Sequence, residues 1–230
     1  MGDTVELHSN GNDASGYLAV PASGRGPGLV LVQEWWGIDP SLMAIADRLA
    51  AAGFVTLAPD LFHGEVAGHQ EMDKASHLMS TLPADRAAKD MSGAVDLLVN
   101  HERVTGDGIG VVGLCMGGML AWLLGTSRPD RVKVIVAFYG YPSGDMEPDW
   151  AALTARVRGH MAEHDDFFTP EGARALEARL RAMGKDVVLT VHPGTGHAFM
   201  GPHNALGTLD EPLAEKLWSE VIAFLHETLD

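Results

Sequence analysis

Apolar residues alternate with polar ones, or run unbroken, over short stretches of this chain. Longer stretches with apolar positions three and four apart lie between them. The first pattern predicts strands and the second amphipathic helices. Residues 4–8 (TVELH) and 15–21 (SGYLAVP) alternate, which predicts two edge strands paired as a hairpin. Residues 26–34 (GPGLVLVQE) contain the unbroken run Leu29, Val30, Leu31 and Val32, the mark of a strand buried on both faces. Residues 39–53 (DPSLMAIADRLAAAG) then take a helical period. Asp39 or Ser41 can cap this helix, Pro40 suits its first turn and Gly53 its stop. FVTLAPD, residues 54–60, is the next strand.

Between residues 61 and 82 the periodicity weakens into a mixture of His, Gly, Met and polar residues, which predicts a loop and a short helix lying over the top of the sheet. A long helix is expected over 83–101, a strand over 108–114 (GIGVVGL), a helix over 116–124 and a strand over 132–140. Residues 156–166 (RVRGHMAEHDD) predict a shorter strand and a loop. Residues 169–184 form a helix with Pro170 in its first turn and Gly184 past its end, 186–194 (DVVLTVHPG) a strand, and 209–229 a closing amphipathic helix. No repeat or low-complexity linker breaks the alternation. It predicts one α/β domain over residues 1–230, with a mostly parallel central sheet flanked by helices.

Composition narrows the setting. The 230 residues are 46% hydrophobic, enough for a substantial core. The formal net charge is −15, from 31 acidic against 16 basic residues. Such a surface repels phosphate backbones and anionic lipid, so neither nucleic acid nor membrane is an expected partner. No apolar run is long enough to span a bilayer. The opening MGDTVELHSN has no basic or apolar region of a secretory signal, and Glu6 stands where myristoylation needs Ser or Thr. The single cysteine cannot close an internal disulfide, which suits a reducing compartment. These features predict a cytoplasmic protein.

That cysteine, Cys115, lies in GIGVVGLCMGGML. Gly108, Gly110 and Gly113 spell G-x-G-x-x-G, but a dinucleotide fingerprint should follow a strand and open a helix. Here the polar NHERVTGD precedes it and the apolar strand lies inside it. Read from Gly113, the same residues give G-x-Cys-x-G, a nucleophile elbow. The chain turns sharply there from strand to helix, and small residues at Gly113 and Gly117 avoid a clash. A helix N-terminus also lowers a thiol's pKa. The competing reading of Cys115 is a buried structural thiol.

In an elbow architecture an acid and then a histidine follow the nucleophile, each just after a strand. Asp165 and Asp166 satisfy the first position, with Asp165 favoured, and His197 the second, favoured over His192, which is still within its strand. His160 and His164, four apart with no cysteine or second cluster, do not make a metal site. Glu34 ends a buried strand and is followed by Trp35 and Trp36. The backbone N–H groups of Trp35 and Met116 are the natural oxyanion-hole pair.

Gln33-Glu34-Trp35-Trp36-Gly37, APDLFHG, GLCMGG, EHDDFFTP and GTGHAF, in this order, resemble the dienelactone hydrolase family over nearly the whole chain. The resemblance implies an α/β-hydrolase fold with a short covering segment rather than a large lid, and a Cys115–Asp165–His197 triad. It also implies that Glu34 contacts the resting thiol and receives its proton as the nucleophile forms. Family members that open the anionic dienelactone bind its carboxylate with arginines in the covering segment and just after the catalytic histidine. This chain has none between Leu61 and Pro83 or in His197-Ala198-Phe199-Met200-Gly201; the nearest is Arg86. Trp35, Trp36, Phe62, Met79 and Phe199 instead suggest an apolar pocket. The expected function is cofactor-free, metal-free hydrolysis of a small ester or lactone through a thioester, with His197 or Glu34 taking the thiol proton. The alternative is a non-catalytic member that binds a small molecule in the same cleft. A redox role is disfavoured because no second cysteine can resolve an oxidised one.

Overall fold

The computed structural model describes residues 2–9 and 12–230. The strands are β1 (Asp3–Ser9), β2 (Asn12–Ala19), β3 (Gly26–Val32), β4 (Val55–Pro59), β5 (Val104–Leu114), β6 (Val132–Phe138), β7 (Arg156–His164) and β8 (Val187–Gly196). They form one sheet in the order β1-β2-β4-β3-β5-β6-β7-β8. The β1–β2 and β2–β4 pairs are antiparallel, and every other neighbouring pair is parallel.

Helices cover both faces, as a parallel sheet requires. Against one face lie α1 (Pro40–Ala51) and α6 (Glu211–Leu229), whose Leu42, Ile45, Leu49, Leu217 and Trp218 pack in one cluster with Leu29 and Leu31 of β3. Against the other lie α3 (Ala84–Asn100), α4 (Met116–Ser127) and α5 (Pro170–Ala182), whose Met91, Val95, Leu120 and Leu176 cluster with Val30 and Val32. Successive residues of a strand point to opposite faces, so the unbroken apolar run of β3 serves both layers. Asp39, not Ser41, caps α1, accepting the Leu42 N–H at 2.8 Å. The short helix of the covering segment is α2 (Met72–Ser80).

Three elements are longer than their patterns suggest. β5 starts at Val104, ahead of the apolar run, because its first residues pair with Gly26 and Pro27 at an exposed end of the sheet that needs no apolar side chains. Gly110 and Gly113 therefore lie within a strand rather than at a helix start. α4 continues to Ser127, and β7 holds nine residues because it is paired on both sides.

β7 and β8 bring together two buried histidines. His160 Nδ1 lies 3.1 Å from His192 Nε2, and the His160 ring stacks on Phe138. Burial, and then the proximity of His192, push the His160 pKa down to about 3; burial also lowers that of His192. An unfolded histidine titrates near pH 6.5. Between those values the unfolded chain binds the extra proton, so this contribution to stability is complete above pH 6.5 and is lost as pH falls toward 3. His160 alone is expected to remove about 1.4 kcal/mol per pH unit within that window. Urea unfolding at pH 7, 6 and 5 should show the slope, and His160→Gln, which stays neutral, should flatten it.

Candidate active site

Sheet register sets the site. Val32 pairs with Gly113, Leu114 with Phe138 and Phe138 with His160, so the C-terminal ends of β3, β5, β6 and β7 emerge together. Cys115 occupies the turn into α4 with φ 55° and ψ −120°, a left-handed backbone that an L-residue holds at a cost. Its N–H donates to the Phe138 carbonyl at 3.0 Å. The turn is tight enough that a Cβ on Gly113 would run into the Gly117 carbonyl, and one on Gly117 into the Val32 carbonyl. These two glycines are where close approach demands the missing side chain.

β7 ends just before Asp165, and β8 just before His197. Asp165 Oδ2 meets His197 Nδ1 at 2.8 Å, and both side chains are buried. Its Oδ1 accepts the N–H groups of Phe167 (2.9 Å) and Phe168 (3.0 Å). Of the two aspartates that the sequence offers, Asp165 thus meets the histidine, while Asp166 is exposed. The carboxylate fixes the imidazole proton on Nδ1 and leaves Nε2 to accept. His192 is turned to His160 instead.

Cys115 and His197 both line a cavity of about 330 Å³. Its other walls include Glu34, Trp35, Trp36, Met79, Met116 and Met119. Phe167, Phe168, Ala198, His203 and Leu206 complete it, and Phe167 is 69% exposed at the mouth. Met79 reaches it from α2, the covering segment. Two expected pocket residues are not in the wall. Phe62 is buried in the core beneath Gly37, and Phe199 is turned under the site against Tyr139 and His192. Residue type alone did not show which way either ring would turn. Arg86 does not line the cavity; its Nη2 donates to the Leu61 carbonyl at 3.3 Å.

The covering segment is pinned along its first part, ahead of α2. His63 Nε2 meets Asp90 Oδ2 at 2.8 Å, His69 Nε2 meets Asp39 Oδ2 at 2.6 Å, and the Ala67 N–H donates to the Trp36 carbonyl.

Glu34 is the largest departure from expectation. Its Oε2 lies 2.9 Å from Nε2 of His203, a residue that no motif marked, and its hydrogen bond goes there rather than to the thiol. The thiol nevertheless senses it. Burial pushes the Cys115 pKa up, the Glu34 charge adds to this and Asp165 adds less, while the Met116 N–H works in the opposite direction. The helix N-terminus is therefore outweighed, and the balance favours the thiol over the thiolate. Burial opposes charge on His203 as well, but the bond to Glu34 and the charges of Glu34 and Asp39 prevail and raise its pKa. Tyr139, at φ 37°, is fully buried beside these groups. Burial and then the Glu34 charge hold it as a neutral phenol; its hydroxyl is electrostatically coupled to Glu34, though no acceptor meets it in hydrogen-bond geometry among the described residues. Among the described residues no group of three or more His, Cys, Asp or Glu is arranged to hold a metal ion. No helix of the described residues is long and apolar enough to cross a membrane.

A mostly parallel sheet that carries a strained residue between strand and helix, with an acid and a histidine after later strands, defines an α/β-hydrolase fold. The chain belongs to the dienelactone hydrolase family, whose model matches residues 14–229, and is thus an ester or lactone hydrolase. It is 32% identical over 235 residues to "Protein usf" of Aquifex pyrophilus, covering 100% of both chains. It is 30% identical over 240 residues to a Bradyrhizobium protein named "Probable 2-oxo-3-(5-oxofuran-2-ylidene)propanoate lactonase", covering 97% of this chain and 93% of that one. Among solved structures it is similar to a dienelactone hydrolase-like promiscuous phosphotriesterase from metagenomic libraries, with a TM-score of 0.85, 19% identity and coverage of 100% and 99%.

Proposed function

We propose that this protein hydrolyses small, uncharged esters or lactones through a thioester on Cys115. The observation that carries the reading is the Asp165–His197 bond, in a cavity that His197 shares with the elbow cysteine. The thiol proton passes to Glu34. This transfer removes the very charge that opposes the thiolate, whereas transfer to His197 would leave thiolate and carboxylate side by side. Sulfur attacks the carbonyl, and the Trp35 and Met116 amides hold the oxyanion, each donor being worth roughly 3 kcal/mol. The carbon–oxygen bond breaks, and the leaving oxygen takes the proton back from Glu34. His197 then removes a proton from water. The resulting hydroxide cleaves the thioester, and the departing thiolate is reprotonated by His197.

The neutral substrate follows from the wall. No arginine or lysine lines the cavity, and its one acidic residue, Glu34, is paired with His203, so a substrate carboxylate would be buried without a cationic side chain beside it. The name of the Bradyrhizobium relative supports a lactone as one acyl donor; that lactone is a propanoate, so the neutral part of the reading rests on this chain's cavity wall alone.

Intact-mass analysis of protein quenched during turnover of p-nitrophenyl acetate is expected to show one acetyl adduct, mapping to Cys115. An adduct elsewhere, or steady hydrolysis with none at any quench time, overturns the thioester. A neutral lactone is expected to give a higher kcat/KM than its carboxylate-bearing counterpart; the reverse order overturns the neutral-substrate part.

A further inference from the structure

We propose that His203 is a positioning residue for Glu34, holding the carboxylate in place beside Cys115 so that it can take the thiol proton during acylation. The proposal rests on the cysteine reading above and assigns a role within it to a residue six positions past the catalytic histidine.

The tautomer of His203 is set by its own loop. The Ala205 N–H donates to Nδ1 at 3.0 Å, so the proton of the neutral ring is on Nε2 and points at Glu34 Oε2, 2.9 Å away. The ring is fixed on its faces and edges. Its centroid lies 4.5 Å from that of His69 and 5.8 Å from the Trp36 ring, and the side chain is 2% exposed. The loop also leaves room for it: a Cβ on Gly201 would sit 2.8 Å from His203 Nε2 and push the ring off Glu34. Glycine thus stands where a side chain would break the pair.

Glu34 needs such a partner. It faces Cys115, Tyr139 and His203, and the rest of the nearby wall is Trp35, Trp36 and Met79. His203 in turn faces Glu34, the charge of Asp39, and His69, which Asp39 holds. Without a bond to the ring, Oε2 has no fixed direction and the carboxylate can swing away from the sulfur. With His203 holding Oε2, the carboxylate stays beside the sulfur, and the S–H bond can break with its electron pair left on sulfur and the proton bound to Glu34.

The step that depends on Glu34 is acylation; thioester hydrolysis depends on His197. Stopped-flow measurement of p-nitrophenyl acetate turnover separates the two. His203→Phe is expected to slow the p-nitrophenolate burst about tenfold while leaving decay of the acetyl adduct and the substrate concentration that half-saturates the burst rate within about twofold, one lost hydrogen bond to a charged group being worth roughly that much. His203→Gln, whose amide can reach Glu34 as Nε2–H does, is expected to restore most of the burst rate. In a Glu34→Gln background, His203→Phe should cost nothing further. Gly201→Ala is expected to slow the burst in the same sense, which keeps the test alive if His203→Phe folds poorly. An unchanged burst in His203→Phe, an equal loss in the Glu34→Gln background, or equal slowing of both steps overturns the role of His203. If Cys115→Ala hydrolyses as well as the parent, the cysteine reading has failed instead; if Cys115→Ala is inactive and the His203 variants match the parent, only this inference has failed.

Discussion

Cys115→Ala is expected to lower kcat/KM for p-nitrophenyl acetate by at least about 1,000-fold, the scale on which losing the nucleophile of a triad enzyme is felt. The fold should be untouched. Alanine keeps the Cβ, so the strained φ of 55° at the elbow is neither relieved nor worsened. The lost sulfur contributes packing at a site next to an open cavity, where a change of about 1 kcal/mol or less is the usual outcome. Activity and stability are thus separable in this variant: circular dichroism and the unfolding midpoint should match the parent while turnover disappears. Residual hydrolysis would come from water activated by His197 with the oxyanion donors still in place. Iodoacetamide labelling of the resting parent is a poor substitute for this test. Burial and Glu34 keep the thiol protonated, so slow alkylation near neutral pH is expected even from a competent nucleophile. Retention of parental kcat/KM in Cys115→Ala would falsify the nucleophile assignment.

The sequence carries the frame of this site further than its electrostatics. The elbow is legible because a sharp strand-to-helix turn leaves no space for side chains at Gly113 and Gly117, and that steric demand is local. His197 and Asp165 are legible because a parallel sheet delivers its strand ends to one side, so their positions after β8 and β7 imply proximity. What the sequence does not show depends on contacts between distant segments. The partner of Glu34 lies in a loop 169 residues later, and only the fold of that loop turns His203 inward. The direction of the thiol pKa is hidden from the sequence for a related reason: the helix N-terminus can be read from the motif, whereas enclosure of the sulfur and its closeness to Glu34 cannot. Phe62 and Phe199 mark the same boundary. An aromatic residue next to a motif is either wall or core, and the backbone direction at that residue decides between them.

Asp165→Asn is expected to reduce kcat by about 100- to 10,000-fold, the scale on which the orienting carboxylate of a triad acts, with KM falling alongside it as the acyl-enzyme accumulates, so that kcat/KM changes far less. The geometry leaves the asparagine little choice. Oδ1 already accepts two backbone N–H groups, from Phe167 and Phe168, so the amide oxygen must take that position and the NH₂ must face His197 Nδ1. Two donors cannot share that contact. The imidazole therefore moves its proton to Nε2, the nitrogen that has to accept one from water when the thioester is cleaved. Because the loop keeps its two backbone bonds, the substitution should act on deacylation far more than on folding. The acetyl adduct on Cys115 should consequently persist, and its slow decay in quenched intact-mass spectra is the measurement that isolates the effect. Asp166→Asn supplies the contrast. That side chain is exposed, and its replacement should leave both the burst and the decay within about twofold, as for other surface positions. Equal losses from the two substitutions, or a fast-decaying adduct in Asp165→Asn, would mean that the 2.8 Å contact to His197 does not set the tautomer on which water activation depends.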